Sequence, residues 1–240
     1  MFKSLNFRKF AKKRSVAQLF INDGEVFSRY TLLNIPSVLS PETSYTIKAV
    51  VKVFSESAKV KLSKEYILKP FESREVFFGY DNNLPKIGVI SVEIEPYTLF
   101  SKNDSILGTL TPHFYSLFHT RNMDSLGLIH PQTLLNQKGT TVNWKSQLNI
   151  SGENVEKLVV YQINPVAQSQ SNILTLKNEN GSVVNSIEND FKPYSANKAE
   201  FDLKEVSSTV HLELDRTNTA NAKPLVFMYF KDGTFTAVHS

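Results

Sequence analysis

Short runs in which apolar and polar side chains alternate, cut off repeatedly by Pro, Ser, Asn and Gly, leave this chain little choice but β-structure. "EVFSRYTLLNI" (25–35), "SYTIKAVVKVFS" (44–55), "EYILKPF" (65–71), "REVFFG" (74–79) and "GVISVEIE" (88–95) read as successive strands. "HFYSLFH" (113–119) and "SLGLIHP" (125–131) read as a hairpin turning through residues 120–124. Apart from the N-terminal arm, no stretch of about a dozen residues carries an apolar period of 3.6, so helices contribute little. The 17 Phe and 9 Tyr, set among Val, Ile and Thr, suit a pleated and half-buried surface. The expected class is all-β.

The chain matches itself. "VFSRYTLLNIPS" (26–37) lies over "TVNWKSQLNISG" (141–152), sharing Leu-Asn-Ile. "ILKPFESREVFF" (67–78) lies over "DFKPYSANKAEF" (190–201), with Lys-Pro before an aromatic in both. "VEIE" (92–95) matches "LELD" (212–215), and the hairpin ending at His130 matches "PLVFMYF" and "TFTAVHS", which ends at His239 and Ser240. The pairs keep their order along the chain, and the separation between partners drifts only as far as loop insertions and deletions allow. The expectation is two tandem β-sandwich (jelly-roll or Ig-like) domains related by internal duplication, spanning residues 16–133 and 138–240 behind a basic arm, residues 1–15. The polar stretch from Leu134 to Gly139 would join them. Each domain would bury its own core, and His130 and His239 would mark the ends of equivalent strands, too far apart to share a site.

Charge is concentrated at the N-terminus. Lys3, Arg8, Lys9, Lys12, Lys13 and Arg14 all precede Val16, with no acid among them. Removing those six from the 27 basic residues leaves 21 against 23 acidic ones, so the rest of the chain carries −2. Such an arm suits nucleic acid, an acidic protein surface, a polymer or an anionic membrane, where each basic residue contributes about 1 kcal/mol. Beyond the arm, "SVAQLFI" meets Asn22-Asp23-Gly24 with no small-residue cleavage site, so no signal peptide is expected. No run approaches the roughly 20 apolar residues of a transmembrane helix. The expected location is the cytoplasm or a virion-like assembly.

Chemistry is sparse. The absence of cysteine removes disulfides, thiolate metal sites and a cysteine nucleophile. Nine unclustered glycines leave no phosphate loop, nucleophile elbow or dinucleotide fingerprint. His113, His119 and His130 lie on the expected hairpin, where His113 and His130 would approach each other and could hold a metal or act as a base. The second copy keeps only His239 of that set, which favours structural histidines over a duplicated catalytic site. Glu93 and Glu95, like Glu213 and Asp215, alternate with apolar residues and read as a solvated strand face rather than a glycosidase pair. Trp144, Tyr97, Tyr115 and Tyr161 are conceivable stacking platforms, although strand alternation favours core positions for each. The polar stretch "NPVAQSQSN" (164–172) is a candidate recognition loop.

The strand ending His119-Thr120-Arg121, preceded by short alternating strands and a Lys-Pro-aromatic turn, resembles the small β-sandwich of sensory-rhodopsin-transducer-like proteins. That resemblance implies a soluble, non-enzymatic binding module that oligomerises and makes small-ligand or carbohydrate contacts. A basic arm ahead of β-sandwiches is also the plan of many virion coat components, an analogy at the level of fold. The sequence thus points to a non-catalytic binding or assembly protein, without cofactor or metal, forming a homo-oligomer or larger assembly whose arm docks on an anionic partner. A virion subunit and a carbohydrate or surface-polymer module are the alternatives, and a metal-dependent hydrolase the remote one. The candidate ligand contacts are His113, His119, Arg121, His130 and Trp144. Deleting residues 1–15 is expected to lower affinity for a polyanion column and to flatten its salt dependence. Equal retention of the truncated and full-length chains would refute the arm's role.

Overall fold

In the computed structural model, which describes residues 15–39, 46–55, 59–81, 83–95, 114–131, 133–137, 139–146, 148–218 and 223–239, the alternating runs become strands. The first half supplies β1 (Ser15–Ile21), β2 (Val26–Leu33), the short helix α1 (Ile35–Leu39), β3 (Ile47–Phe54), β4 (Val60–Leu68), β5 (Ser73–Val76), β6 (Ile87–Glu95), β7 (Phe114–Thr120), β8 (Leu126–Ile129) and β9 (Thr133–Leu134). The second half supplies β10 (Thr141–Lys145), β11 (Ile150–Ser151), β12 (Val155–Ile163), β13 (Gln170–Asn178), β14 (Val183–Phe191), β15 (Ala196–Asp202), β16 (Thr209–Asn218), β17 (Leu225–Phe230) and β18 (Phe235–His239). Among the described residues no helix is long and apolar enough to cross a membrane.

These strands form four small antiparallel sheets. Sheet I runs β4-β3-β6-β1-β9 and sheet II runs β5-β2-β7-β8. Sheet III runs β10-β16-β13-β14, with β11 also on β16, and sheet IV runs β15-β12-β17-β18. The order β4-β3-β6-β1 thus has a counterpart in β14-β13-β16-β10, and β5-β2-β7-β8 in β15-β12-β17-β18. Both halves turn one corner alike. The Asn34 amide donates to the carbonyl oxygens of Leu68 (3.2 Å) and Lys69 (2.9 Å), and the Asn164 amide to those of Gln168 (2.8 Å) and Lys192 (2.9 Å). The aromatic of each Lys-Pro-aromatic turn adopts positive φ, 62° at Phe71 and 49° at Tyr194. The Leu-Asn-Ile match therefore misleads. By sheet position Asn34 corresponds to Asn164, at the end of β12, and not to Asn149.

The arrangement corrects the expected pair of tandem β-sandwich (jelly-roll or Ig-like) domains. The four small sheets form one body held by three apolar cores, and the third belongs to neither half alone. One core gathers Phe20, Tyr30, Val51, Ile90 and Phe114 between sheets I and II. Another gathers Leu158, Leu174, Phe201, Leu212 and Val226 between sheets III and IV. The third takes Ala17, Leu19 and Ile21 from β1, Phe118 from β7, Ile129 from β8, and Tyr161, Phe227, Phe235 and Ala237 from sheet IV. The physical reason lies in β1 and β12, which are apolar on both faces. Val16 and Phe20 face one core while Ala17, Leu19 and Ile21 face another. A strand buried on both sides needs a second sheet to cover its second face.

The join between the halves is strapped down rather than free. β9 pairs with β1 at Ala17 and Val16, and the Leu135 N–H donates to the Ser15 carbonyl at 2.7 Å. Asn136 donates its N–H to the Pro165 carbonyl at 2.9 Å and accepts the Tyr194 hydroxyl at 2.6 Å. Across the shared core, β8 lies against β18. The Phe235 N–H reaches the Ser125 hydroxyl at 3.1 Å, and a Cβ built on Gly127 would stand 2.4 Å from the Ala237 Cβ and 2.8 Å from its backbone nitrogen. Only glycine permits that approach. Gly127→Ala is expected to destabilise the fold by about 1–3 kcal/mol through overpacking. Chemical denaturation would read the loss, and an unchanged midpoint would show that the two strands separate freely.

Candidate functional site

The closest meeting of ionisable side chains across the shared core is the one that the sequence placed far apart. His130 follows the last residue of β8, and His239 is the last residue of β18, opposite Leu225 in its ladder. Gln18, fully buried on β1, donates its amide to the His130 carbonyl at 2.8 Å and so fixes the end of β8. With Gly127 seated on Ala237, the two strand ends converge. The Nε2 atoms of His130 and His239 stand 2.7 Å apart, with ring centroids 4.4 Å apart and planes at 76°.

The expectation that these histidines could not share a site is thereby corrected. The physical reason is the third core, which sets β8 against β18. Their protonation follows from the partners. His130 Nδ1 lies 2.9 Å from the Pro131 carbonyl oxygen, which only accepts, so a proton sits on Nδ1, and in the tautomer with a single proton Nε2 carries the lone pair. His239 then donates from its own Nε2. Partial burial, the neighbouring His130 and the Lys223 charge together hold the His239 pKa below its ordinary value.

The remaining candidates separate into structural and surface groups. His119 is fully buried, with Nδ1 on the Thr120 carbonyl at 2.6 Å and Nε2 accepting the Arg29 guanidinium at 3.0 Å. Both ring nitrogens are engaged within the fold, so it is a core histidine rather than an open ligand contact. Arg121 stacks over the Tyr80 ring at 4.5 Å and reaches Phe27 at 5.9 Å, while Arg29 covers Phe77 at 4.1 Å and pairs with Glu75 at 2.8 Å. Sequence reading found Arg121 but missed Arg29, Phe77 and Tyr80, whose only signal was a basic or aromatic residue at a strand or turn. Trp144 packs half-buried on the core of sheets III and IV, and Tyr161 is buried in the shared core, so neither offers an open platform. Tyr115 is exposed. The arm residues Lys3, Arg8, Lys9, Lys12, Lys13 and Arg14, together with Tyr97 and His113, lie outside the described residues.

The carboxylates are engaged elsewhere. Glu93 is buried rather than solvated and accepts the Ser15 hydroxyl at 3.1 Å, and Glu95 pairs with Lys48 at 2.8 Å. Glu213 takes Lys177 at 2.6 Å and His211 at 3.2 Å, which pull its pKa down. In the 164–172 stretch Asn164, Val166 and Asn172 are buried, which ties that loop to the fold. Among the described residues no group of three or more histidines and carboxylates could hold a metal.

No protein-family model matches the chain, and no curated protein matches it. Among solved structures it is similar to a β-glucuronidase from glycoside hydrolase family 2, at 9% identity and a TM-score of 0.20. The match covers 95% of this chain and 24% of that one, so the chain spans about a quarter of the solved protein's length.

The depressed His239 pKa has a consequence for stability. Below the ordinary value of 6.5 the unfolded chain takes up a proton more readily than the folded one. The contribution is therefore complete above that value and is lost as pH falls. Thermal midpoints at about pH 7.5 and about pH 5 should differ more in the unaltered protein than in His239→Gln, which does not titrate. Equal differences would show that His239 does not titrate with folding.

Proposed function

We propose that the protein is a non-catalytic assembly protein whose subunits associate through the outer face of sheet II, with the basic arm contacting an anionic partner or neighbouring subunit. One observation carries this reading. The corresponding face of sheet IV is covered, whereas that of sheet II is open. By ladder position Tyr115, Leu126 and Leu128 correspond to Leu225, Phe235 and Ala237. The three in sheet IV are 0%, 4% and 6% exposed in the shared core, while their counterparts in sheet II are 44%, 49% and 62% exposed. Clustered apolar groups of this kind mark an interaction face.

The surroundings suit self-association. Arg29 and Glu75 put both signs of charge on the same face, and a patch that meets its own copy about a two-fold axis must be self-complementary. Light scattering over a rising concentration series should give a mass above the 27.2 kDa of one chain. Leu126→Asp combined with Leu128→Asp should weaken the association at least about tenfold, the value of one buried contact of about 1.4 kcal/mol. Because both positions are exposed, circular dichroism should remain unchanged. A monomer at every concentration, or an association indifferent to the double substitution, would overturn the proposal.

A further inference from the structure

We infer that His130 and His239 form a binding site for a divalent transition-metal ion of the Cu2+, Ni2+ or Zn2+ class, clasping β8 to β18 across the shared core. Convergence is the first ground. Two Nε2 atoms from distant parts of the sequence approach to 2.7 Å, close enough for one ion to reach both after a small ring movement. The second ground is the tautomer. In its single-proton tautomer His130 donates its Nδ1–H to the Pro131 carbonyl, and Nε2 carries the lone pair. A backbone carbonyl on the far nitrogen is the usual companion of a metal-bound imidazole, since it orients the ring and raises its basicity.

Rigidity is the third ground. The His130 carbonyl is held by the buried Gln18 amide, and β8 is pressed on β18 at Gly127 and Ala237. Both backbones are therefore fixed before an ion arrives, so little ordering remains to oppose binding.

The geometry needs only a small adjustment. Ligands about 2.0–2.1 Å from an ion at a tetrahedral angle lie about 3.3 Å apart. Rotation of the exposed His130 ring opens the gap by about 0.6 Å, on the same ligand lengths. His239 shifts its proton from Nε2 to Nδ1, so both rings ligate while neutral and no charge is lost. Water completes the coordination on the exposed side. An all-imidazole donor set selects Cu2+, Ni2+ and Zn2+ over the oxygen-seeking Mg2+ and Ca2+, with Cu2+ bound most tightly.

Calorimetric titration of the full chain with Cu2+, Ni2+ and Zn2+ salts tests the site, with thermal unfolding recorded alongside. The expected result is one ion per chain and a raised unfolding midpoint, because an ion that binds only the folded state stabilises it. His130→Ala and His239→Ala should each weaken uptake at least about tenfold, or about 1.4 kcal/mol. His211→Gln, which removes the His211–Glu213 pair on another sheet, should leave it intact, and Mg2+ should produce no shift. His130→Gln, at an exposed position, gives a folded comparison if an alanine variant is unstable. Absence of stoichiometric uptake, or uptake unchanged in the His130 and His239 variants, would overturn the inference.

Discussion

Phe227 is the point on which the structure turns. Its ring lies 5.5 Å from Phe118, 5.0 Å from Tyr161 and 5.4 Å from Phe235, in tilted and edge-on arrangements. Phe118 comes from the first half of the chain and the other three rings from the second. Each such ring stabilises the fold by roughly 1.5–3 kcal/mol when fully buried, and aromatic pairing adds about 0.5–1.5 kcal/mol. Without this cluster, the second apolar faces of β1 and β12 would lie in water. The shared core therefore holds the halves as one body, and the seating of β8 on β18 follows from it.

Polar groups then fix the register of that body. Gln18 is fully buried among the apolar residues of β1, and its amide is spent on the His130 carbonyl while its oxygen accepts the Leu19 N–H at 2.9 Å. The buried Tyr30 hydroxyl donates to the Leu19 carbonyl at 2.8 Å, and burial pushes its pKa up. A buried amide or hydroxyl without a partner costs about 1–3 kcal/mol, so each of these groups penalises a sliding of one sheet past its neighbour. The two histidines meet at the end of the strand that Gln18 holds. The contact between their Nε2 atoms is a product of this packing and not of local sequence.

The legible part of the fold was the part set by local pattern. Alternation in "GVISVEIE" gave β6, and the Lys-Pro-aromatic stretches marked corners, because proline and a positive-φ aromatic act within a few residues. The Leu-Asn-Ile match was misleading for the converse reason: three residues carry no information about which sheet a strand joins. Of the candidate site, His119 and Arg121 were found as residues, but their partners Arg29 and Tyr80 were not. Those partners lie far away along the chain, and nothing in a strand's own sequence names its neighbour across the ladder.

By itself the sequence determined the all-β class, the positions of most strands in the first half of the chain, the lack of any thiol chemistry and the gathering of positive charge ahead of Val16. These follow from composition and from alternation along single strands, which are local properties of a chain. Only the tertiary structure decided that four small sheets share a third core, that the outer face of sheet IV is covered while that of sheet II stays open, and that His130 touches His239. A strand with two apolar faces must be covered twice, but its sequence does not say by what. That choice is made by long-range packing, and the histidine pair exists only because of it.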